Sequence, residues 1–288
     1  MMRSICSAMM LAIISMIVLL NAVRGLMDLQ SDDYLSLGDE ALSNDMNEKA
    51  IGLYIEGIDA LTEDESLLTI LSLETNLATA LSSIGNNEEA TKHYREAISA
   101  YSKEIDNIIE KEVKKFAKEI TAQASFFLGM VLQDLGEARK AVEAYGYAVV
   151  LDPYHWASLA NLGSVLHDEL RLHDEALDAY NKALEILTQT EVEPTDAPEE
   201  PRFILGELQY RIGLCLNHDF DRKCAMIDDP NTPVSCKEMA THAFSLAVQY
   251  NPENESAKHM LATITADATM KRASNVYIQK LFDDYAHK

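Results

Sequence analysis

Residues 128–153 read LGMVLQDLGEARKAVEAYGYAVVLDP, and the spacing of their small and aromatic residues decides the fold. Two helices approach each other closely only where the side chains at their crossing are small. Gly129 offers such a point on a first helix, and Ala141 offers one on a second, with Tyr145 filling the space beside them. Pro153 cannot donate a backbone hydrogen bond and ends the second helix. The stretch therefore predicts one helical hairpin.

The same spacing recurs before and after this stretch. The further copies run through Tyr34, Leu37, Gly38, Ala50, Tyr54 and Gly57; through Leu77, Ala78, Leu81, Ala90, Tyr94 and Ala97; through Leu159, Leu162, Gly163, Leu166, Ala176, Tyr180 and Ala183; and through Ile212, Gly213, Leu216, Ala240, Phe244, Ala247 and Pro252. The fourth copy in chain order has one extra residue in its turn, and the fifth has a much longer turn. After Pro252, the positions of Ala257, Met260 and Leu261 indicate a single further helix.

This pattern resembles the tetratricopeptide repeat, a helix-turn-helix unit of about 34 residues. The resemblance implies an all-α solenoid of five repeats plus a capping helix over residues 31–265. In that family the first helices of successive units line a concave groove, so the implied function is a scaffold that binds a partner protein or peptide there. The chain has 11 glycines and 7 prolines, which leaves little material for β-turns and also favours helices.

Three segments depart from the regular pattern. Residues 101–124 contain no glycine or proline and alternate charges with an apolar stripe of Ile105, Ile108, Ile109, Val113, Phe116 and Ile120. This predicts lengthened helices that protrude as an extended hairpin between repeats 2 and 3. Residues 188–201 carry three prolines and five acids and predict an acidic, flexible loop. Residues 217–235 predict a long turn inside repeat 5.

The N-terminus predicts entry into the secretory pathway. Arg3 precedes an apolar run over residues 9–20, and small residues follow near Gly25. We expect residues 1–25 to be a cleaved signal peptide, with an uncleaved signal-anchor as the alternative. The final compartment would be the ER lumen, the exterior, or an organelle reached by this route.

The charge of the chain bounds its partners. Two of the 24 basic residues and none of the 47 acidic ones lie in residues 1–25, so the rest of the chain carries a net charge of −25. A field of that sign repels phosphate backbones and anionic lipid headgroups. We expect a neutral or basic protein or peptide partner and no nucleic acid, with membrane contact only if residues 1–25 remain as an anchor.

The candidate groove residues are Asn76, Asn161 and Arg211, which share the position two residues before the small residue of the first helix. Asparagine amides at this position can donate to and accept from a peptide backbone. The alternative is that these side chains are only solvated. The clamp of lysines and asparagines with which some family members grip a terminal carboxylate is absent, because Phe126 and Met130 stand at corresponding positions.

Cysteines and histidines flank the insertion of repeat 5 in the order His218, Cys224, Cys236 and His242. A secretory chain favours a Cys224–Cys236 disulfide, while a tetrahedral zinc site and free thiols are the alternatives. Cys215 lies on an apolar helix and should be buried.

Two further polar features have simple interpretations. His167 and His173 flank the turn of repeat 4, where a solvated role is favoured over a metal site. The sequon at Asn254 is a glycosylation candidate, although a folded helix start could hide it.

The sequence predicts a protein that is not an enzyme and needs no cofactor or metal. It has no nucleophile motif, and no two glycines lie within two residues of each other, as phosphate-binding loops require.

The C-terminal extension, residues 266–288, gives an alternative. Together with residues 257–262, its segment YIQKLFDDYA at 277–286 resembles the junction between a tetratricopeptide array and a methyl-donor-dependent methyltransferase domain. This resemblance implies a substrate-recruiting part whose catalytic domain is missing from the sequence.

Overall fold

The computed structural model describes residues 30–63, 65–189, 199–218, 223–225 and 233–265. The predicted signal at 1–25 and the extension at 266–288 lie outside the described residues.

Eleven α-helices and one short antiparallel strand pair make up the described part of the chain. The helices are α1 (Ser31–Ser43), α2 (Asn47–Asp59), α3 (Leu67–Ser83), α4 (Asn87–Glu104), α5 (Lys111–Asp134), α6 (Ala138–Leu151), α7 (Trp156–Ser164), α8 (His173–Thr188), α9 (Glu199–Leu216), α10 (Cys236–Tyr250) and α11 (Glu255–Thr265), with strands β1 (Lys223–Ala225) and β2 (Pro233–Ser235) before α10.

The chain forms two compact units, residues 1–124 and residues 125–288. In the first unit α1 packs on α2, α2 on α3, and α3 on α4. In the second unit α7 packs on α8, α8 on α9, α9 on α10, and α10 on α11. Each predicted repeat thus supplies a first and a second helix, and α11 is the predicted capping helix. The all-α array of helix pairs is confirmed.

A buried aromatic ring stands at the crossing of every helix pair. Tyr54, Tyr94, Tyr145, Tyr180 and Phe244 are at most 1% exposed. Opposite four of these rings lies a glycine, and a Cβ added there would overlap the ring. The Cβ would overlap the Tyr54 ring at Gly38, and it would lie 2.5 Å from the ring at Gly129, 2.8 Å at Gly163 and 2.6 Å at Gly213. These glycines are needed for space, because any side chain would push the ring out of its place.

The extra residue of repeat 4 is accommodated by a turn of π-helix. Gly163 and Tyr180 are one residue further apart than Gly129 and Tyr145. Residues Val165–Glu169 form the π-turn, in which the backbone N–H of Leu170 donates to the carbonyl of Val165 at 3.1 Å. A π-turn inserts one residue into a helix without ending it. The repeat therefore keeps its crossing despite the insertion.

The region between repeats 2 and 3 differs partly from expectation. Helices α4 and α5 are long, with 18 and 24 residues, as predicted. Ile105, Ile108 and Ile109, however, lie in the connection between them, and Ile109 is 96% exposed, so the expected continuous helical stripe is wrong. Asn107 bonds to Glu104 through both its backbone N–H and its side chain, a local turn that competes with the helix. The protruding hairpin stays a prediction.

Both irregular segments in the second half also differ from their predicted form. The predicted loop 188–201 is helical at both ends, since Thr188 belongs to α8 and Glu199–Pro201 begin α9, while residues 190–198 lie outside the described residues. Proline is tolerated in a first turn, where the backbone N–H has no intrahelical partner. The turn 217–235 contains the β1–β2 pair, with Lys223 opposite Ser235.

Replacing Gly129 by alanine tests the close approach. The new Cβ would overlap the Tyr145 ring, and overpacking of this kind costs about 1–3 kcal/mol, more than the roughly 1 kcal/mol that alanine gains in a helix. We expect a lower free energy of unfolding by urea. The matched control is Gly146→Ala on α6, where nothing lies within 4 Å of the added Cβ. That variant should be as stable as the original or more so, and equal effects of the two changes would contradict the packing argument.

Candidate partner-binding face

In the first unit a row of hydrogen bonds joins repeat 1 to repeat 2. The Tyr54 hydroxyl donates to Asp39 Oδ1 at 2.7 Å, and Asn76 Nδ2 donates to the same oxygen at 2.8 Å. Burial and the Asp39 carboxylate raise the pKa of Tyr54 far above its ordinary value, so the phenol remains a donor. These two hydrogen bonds connect α2, α1 and α3, and they fix the orientation of the Asn76 amide.

A second polar contact joins the same repeats. Thr69, at the start of α3, donates to Asp32 Oδ1 on α1 at 2.9 Å, while Ser66 caps α3 by accepting from the Thr69 N–H at 3.1 Å. Within repeat 2 the Tyr94 hydroxyl shares a hydrogen bond of 3.0 Å with Thr79, and burial raises the pKa of Tyr94 to about 12. Two aspartates of α1 are thus held against polar side chains of α3 or α2.

Repeats 3 and 4, in the second unit, are joined in a similar way. The Tyr145 hydroxyl donates to Gln133 Oε1 at 3.2 Å, and Asn161 Nδ2 donates to the Tyr145 oxygen at 3.4 Å. Burial raises the pKa of Tyr145 to about 12. Asn161 stands at the same position of the repeat as Asn76, but its partner is the tyrosine itself.

Repeats 4 and 5 are joined by an ion pair. Arg211 Nη1 on α9 lies 2.7 Å from Asp168 Oδ2, and Arg211 Nε lies 2.9 Å from Glu207 Oε1. Asp168 Oδ1 also lies 2.8 Å from His167 Nδ1. Burial by itself would raise the pKa of Asp168, but the His167 hydrogen bond and the Arg211 charge outweigh it and lower the pKa to about 2.

The three predicted groove residues therefore occupy equivalent places. Asn76 lies in the first unit, and Asn161 and Arg211 lie in the second; each is partly exposed and bonds to a residue of the preceding repeat. Their role in holding a partner stays a prediction. Asp39 and Asp168, to which Asn76 and Arg211 bond, were missed, and so was Gln133, which accepts from the Tyr145 hydroxyl that Asn161 contacts. Asp39 directly follows Gly38 and could have been found from that position, and Gln133 and Asp168 each lie twelve residues before the tyrosine of their repeat, an offset that was overlooked.

A solvated role was predicted for the histidines of repeat 4, but their rings pack against other rings, edge to face between His167 and His173 and tilted by 31° between His173 and His218. The ring centroids of His167 and His173 lie 4.9 Å apart, and those of His173 and His218 lie 4.1 Å apart. His218 thus meets the turn of the preceding repeat. No group of three or more histidine, cysteine or acidic side chains in the described ranges is arranged to hold a metal ion.

The cysteines agree with part of the prediction. Cys236 is disulfide-bonded, whereas Cys215 is free and buried, and burial raises the pKa of its thiol to about 12. The side chain of Cys224 lies outside the described residues. Its backbone pairs with Val234, two residues before Cys236, so the Cys224–Cys236 pairing stays a prediction with support from the strand register.

Asn254, the glycosylation candidate, caps the last helix. Its Oδ1 accepts from the backbone N–H of Ala257 at 2.9 Å. Modification of Asn254 stays a prediction. In the part of the chain that the structure covers, α1 to α11 include no helix with the length and apolarity needed to cross a bilayer.

Comparison with known proteins identifies the repeat and the fold. Residues 75–104 match the model of the tetratricopeptide repeat. The chain is similar to YrrB, described as a tetratricopeptide protein with an unusual peptide-binding site, at 15% identity over 83% of this chain and 95% of YrrB, with a TM-score of 0.55.

Two further solved structures are similar in fold. PilF of Pseudomonas aeruginosa is 15% identical over 90% of this chain and 97% of its own, with a TM-score of 0.55. The apo form of RapI is 13% identical over 93% of this chain and 68% of its own, with a TM-score of 0.64. No curated protein matches the chain in sequence. At these identities the likeness shows a tetratricopeptide-array fold.

Replacing Arg211 by methionine tests the ion pair. Without the guanidinium, the pKa of Asp168 should rise from about 2 toward the ordinary aspartate value of 3.8, as followed by carboxyl NMR during an acid titration. Because the folded pKa lies below the unfolded one, the pairing stabilises the protein above about pH 4 and is lost as the pH falls toward 2. The Arg211→Met variant should lose that part of the acid dependence. Arg139→Met, an exposed change on α6, is the control, and an unmoved Asp168 pKa in Arg211→Met would contradict the pairing.

Proposed function

We propose that the chain is a binding module that holds a neutral or basic segment of another protein along its first helices. The observation that carries this proposal is that anchored polar groups recur at one position of the repeat, at Asn76 in the first unit and at Asn161 and Arg211 in the second. Each is partly exposed and is fixed in orientation by a bond to the preceding repeat. Side chains that are already ordered lose less entropy when a ligand binds.

The amides suit an extended peptide. Asn76 and Asn161 use Nδ2 in the bonds that fix them. The carbonyl oxygen of an amide is an acceptor with two lone pairs, so it can receive a peptide N–H. Recognition of this kind gives affinity through the main chain of the partner and leaves its sequence largely free.

Charge selects the partner class. Outside residues 1–25 the chain carries a net charge of −25, and Asp39 lies directly beside Asn76. Such a surface attracts basic segments and repels nucleic acid. Binding requires no bond-making chemistry, and the sequence supplies no nucleophile motif. The apolar N-terminus supports placing the interaction in the secretory pathway.

The proposal is tested with a peptide library that spans acidic, neutral and basic segments. We expect neutral or basic peptides to bind, and Asn76→Ala and Asn161→Ala each to raise Kd by about tenfold, equivalent to 1.4 kcal/mol or about one hydrogen bond. Asn181→Ala on α8, a second helix, should leave Kd unchanged. Fluorescence polarisation measures all four proteins.

A further variant separates binding from stability. Tyr54→Phe removes the other hydrogen bond to Asp39 but keeps the Asn76 amide. If this variant weakens binding as much as Asn76→Ala does, the effect belongs to the fold and not to the amide. Absence of any binding peptide, or preference for acidic ones, would refute the proposal.

The alternative function rests on residues 277–286. Their resemblance to the junction before a methyltransferase domain favours a substrate-recruiting part of a methyl-donor-dependent enzyme. Sequencing of the transcript beyond the codon for Lys288 tests it. A predicted strand followed by closely spaced glycines would support this alternative, and a stop codon would remove it.

A further inference from the structure

Three imidazoles meet where repeat 4 contacts repeat 5, within the second unit. His167 lies in the π-turn that follows α7, His173 is the first residue of α8, and His218 lies just beyond the end of α9. The His173 ring stands between the other two, with centroid separations of 4.9 Å and 4.1 Å. The cluster therefore joins three elements of the chain.

The charges around the cluster are mixed. Asp168 bonds to His167 and pairs with Arg211 of α9. Arg171 adds positive charge near His173, and Asp174 opposes it. The backbone N–H of His218 donates to the backbone carbonyl of Cys215, on α9, at 3.4 Å. The buried thiol of Cys215 is uncharged, since its pKa is about 12. Of the three rings, only His167 has a carboxylate within hydrogen-bond distance among the described residues.

His173 is poorly prepared to accept a proton. Its Nδ1 is buried and has no hydrogen-bond partner among the described residues. Burial, followed by the neighbouring His218, His167 and Arg171, lowers the pKa of His173. Neutral imidazoles stack as flat, largely apolar rings, whereas two imidazolium ions at about 4 Å repel each other by several kcal/mol at an effective dielectric constant of 20.

We propose that this histidine cluster is an acid-sensitive contact: the neutral His173 ring, packed between His167 and His218, holds the end of α9 against the turn between α7 and α8, and protonation of His173 releases it. Histidine is the side chain whose ordinary titration spans pH 5 to 8. The inference goes beyond the proposed function and does not depend on it, because it concerns the joint between two repeats and needs no partner.

The direction of the pH effect follows from the lowered pKa of His173. A proton binds more tightly to the opened or unfolded state than to the closed one. The contact therefore contributes its full stability above about pH 6.5, the ordinary histidine pKa, and loses it as the pH falls below that value. Asp168 stays ionised throughout, since its pKa is about 2.

Hydrogen exchange of the full chain at pH 7.5 and pH 5.5 tests the proposal, with rates corrected for intrinsic exchange. Protection of the amides in 165–176 and 211–218 should fall severalfold, up to about tenfold, because pH 5.5 lies about one unit below the ordinary histidine pKa and His173 can contribute no more than that. Helix α3, in the other unit, should keep its protection. An unchanged wild-type profile in 165–176 and 211–218 would overturn the proposal.

Two substitutions decide whether the histidine cluster causes the pH dependence of protection at this joint. His173→Phe keeps a flat ring but cannot be protonated, so protection near the joint should no longer depend on pH. His242→Phe makes the same change at an exposed position on α10 and should leave the wild-type response intact. If His173→Phe is unfolded at pH 7.5 by circular dichroism, His218→Phe takes its place, because His218 is exposed and tolerates the change. A wild-type pH response in the folded phenylalanine variant overturns the inference.

Discussion

The contact on which the structure depends is the approach of a helix backbone to the face of a buried aromatic ring. At Gly129, Gly163 and Gly213 an added Cβ would lie within 2.8 Å of that ring. The ring is then held between two helices and cannot turn away, so the end of the ring has a fixed position at the edge of the pair. In repeats 1 to 4 this end is a tyrosine hydroxyl. In repeats 1 and 3 the same contact that packs the helices places that hydroxyl in a hydrogen-bonded group with the first helix of the next repeat.

This geometry explains why the polar contacts change along the chain. Tyr54 is linked to Asn76 through Asp39, which accepts a hydrogen bond from each of them. Tyr145 is linked to Asn161 directly, because its oxygen accepts from the Asn161 amide. Repeat 5 has Phe244 at the equivalent place, and its second helix packs on α11, the capping helix. No further repeat follows within 31–265, so no hydroxyl is needed there. In a stacked array each repeat is stabilised by its nearest neighbours, and the side chains at each joint set how strong that joint is.

The sequence was sufficient to predict the helix pairs because small and aromatic residues recur at a constant spacing, and that spacing is itself the packing rule. It was insufficient for contacts that depend on where a neighbouring repeat lies. Asp168 and Arg211 are brought together by the packing of α8 on α9, and His218 reaches His173 only because α9 ends beside the π-turn. The helical start at Glu199 was missed because Pro201 suggests a loop, although a first turn tolerates it.

The joint between repeats 4 and 5 is built differently from the others. Its first helix carries a π-turn, a segment outside the described residues separates α8 from α9, and its polar contact is an ion pair with a histidine on one side. An ion pair therefore stands where the joint between repeats 1 and 2 has hydroxyls and an amide bonded to aspartates, and where the joint between repeats 3 and 4 has a hydroxyl bonded to two amides. Proteins open locally where contacts are weakest, and a change that weakens one joint leaves its neighbours paired. The Asp168–Arg211 ion pair keeps its charges across the range in which histidines titrate, so acid changes this joint through the histidine cluster and not through the ion pair. A partner held through Arg211 would be affected through Asp168, which contacts both Arg211 and His167.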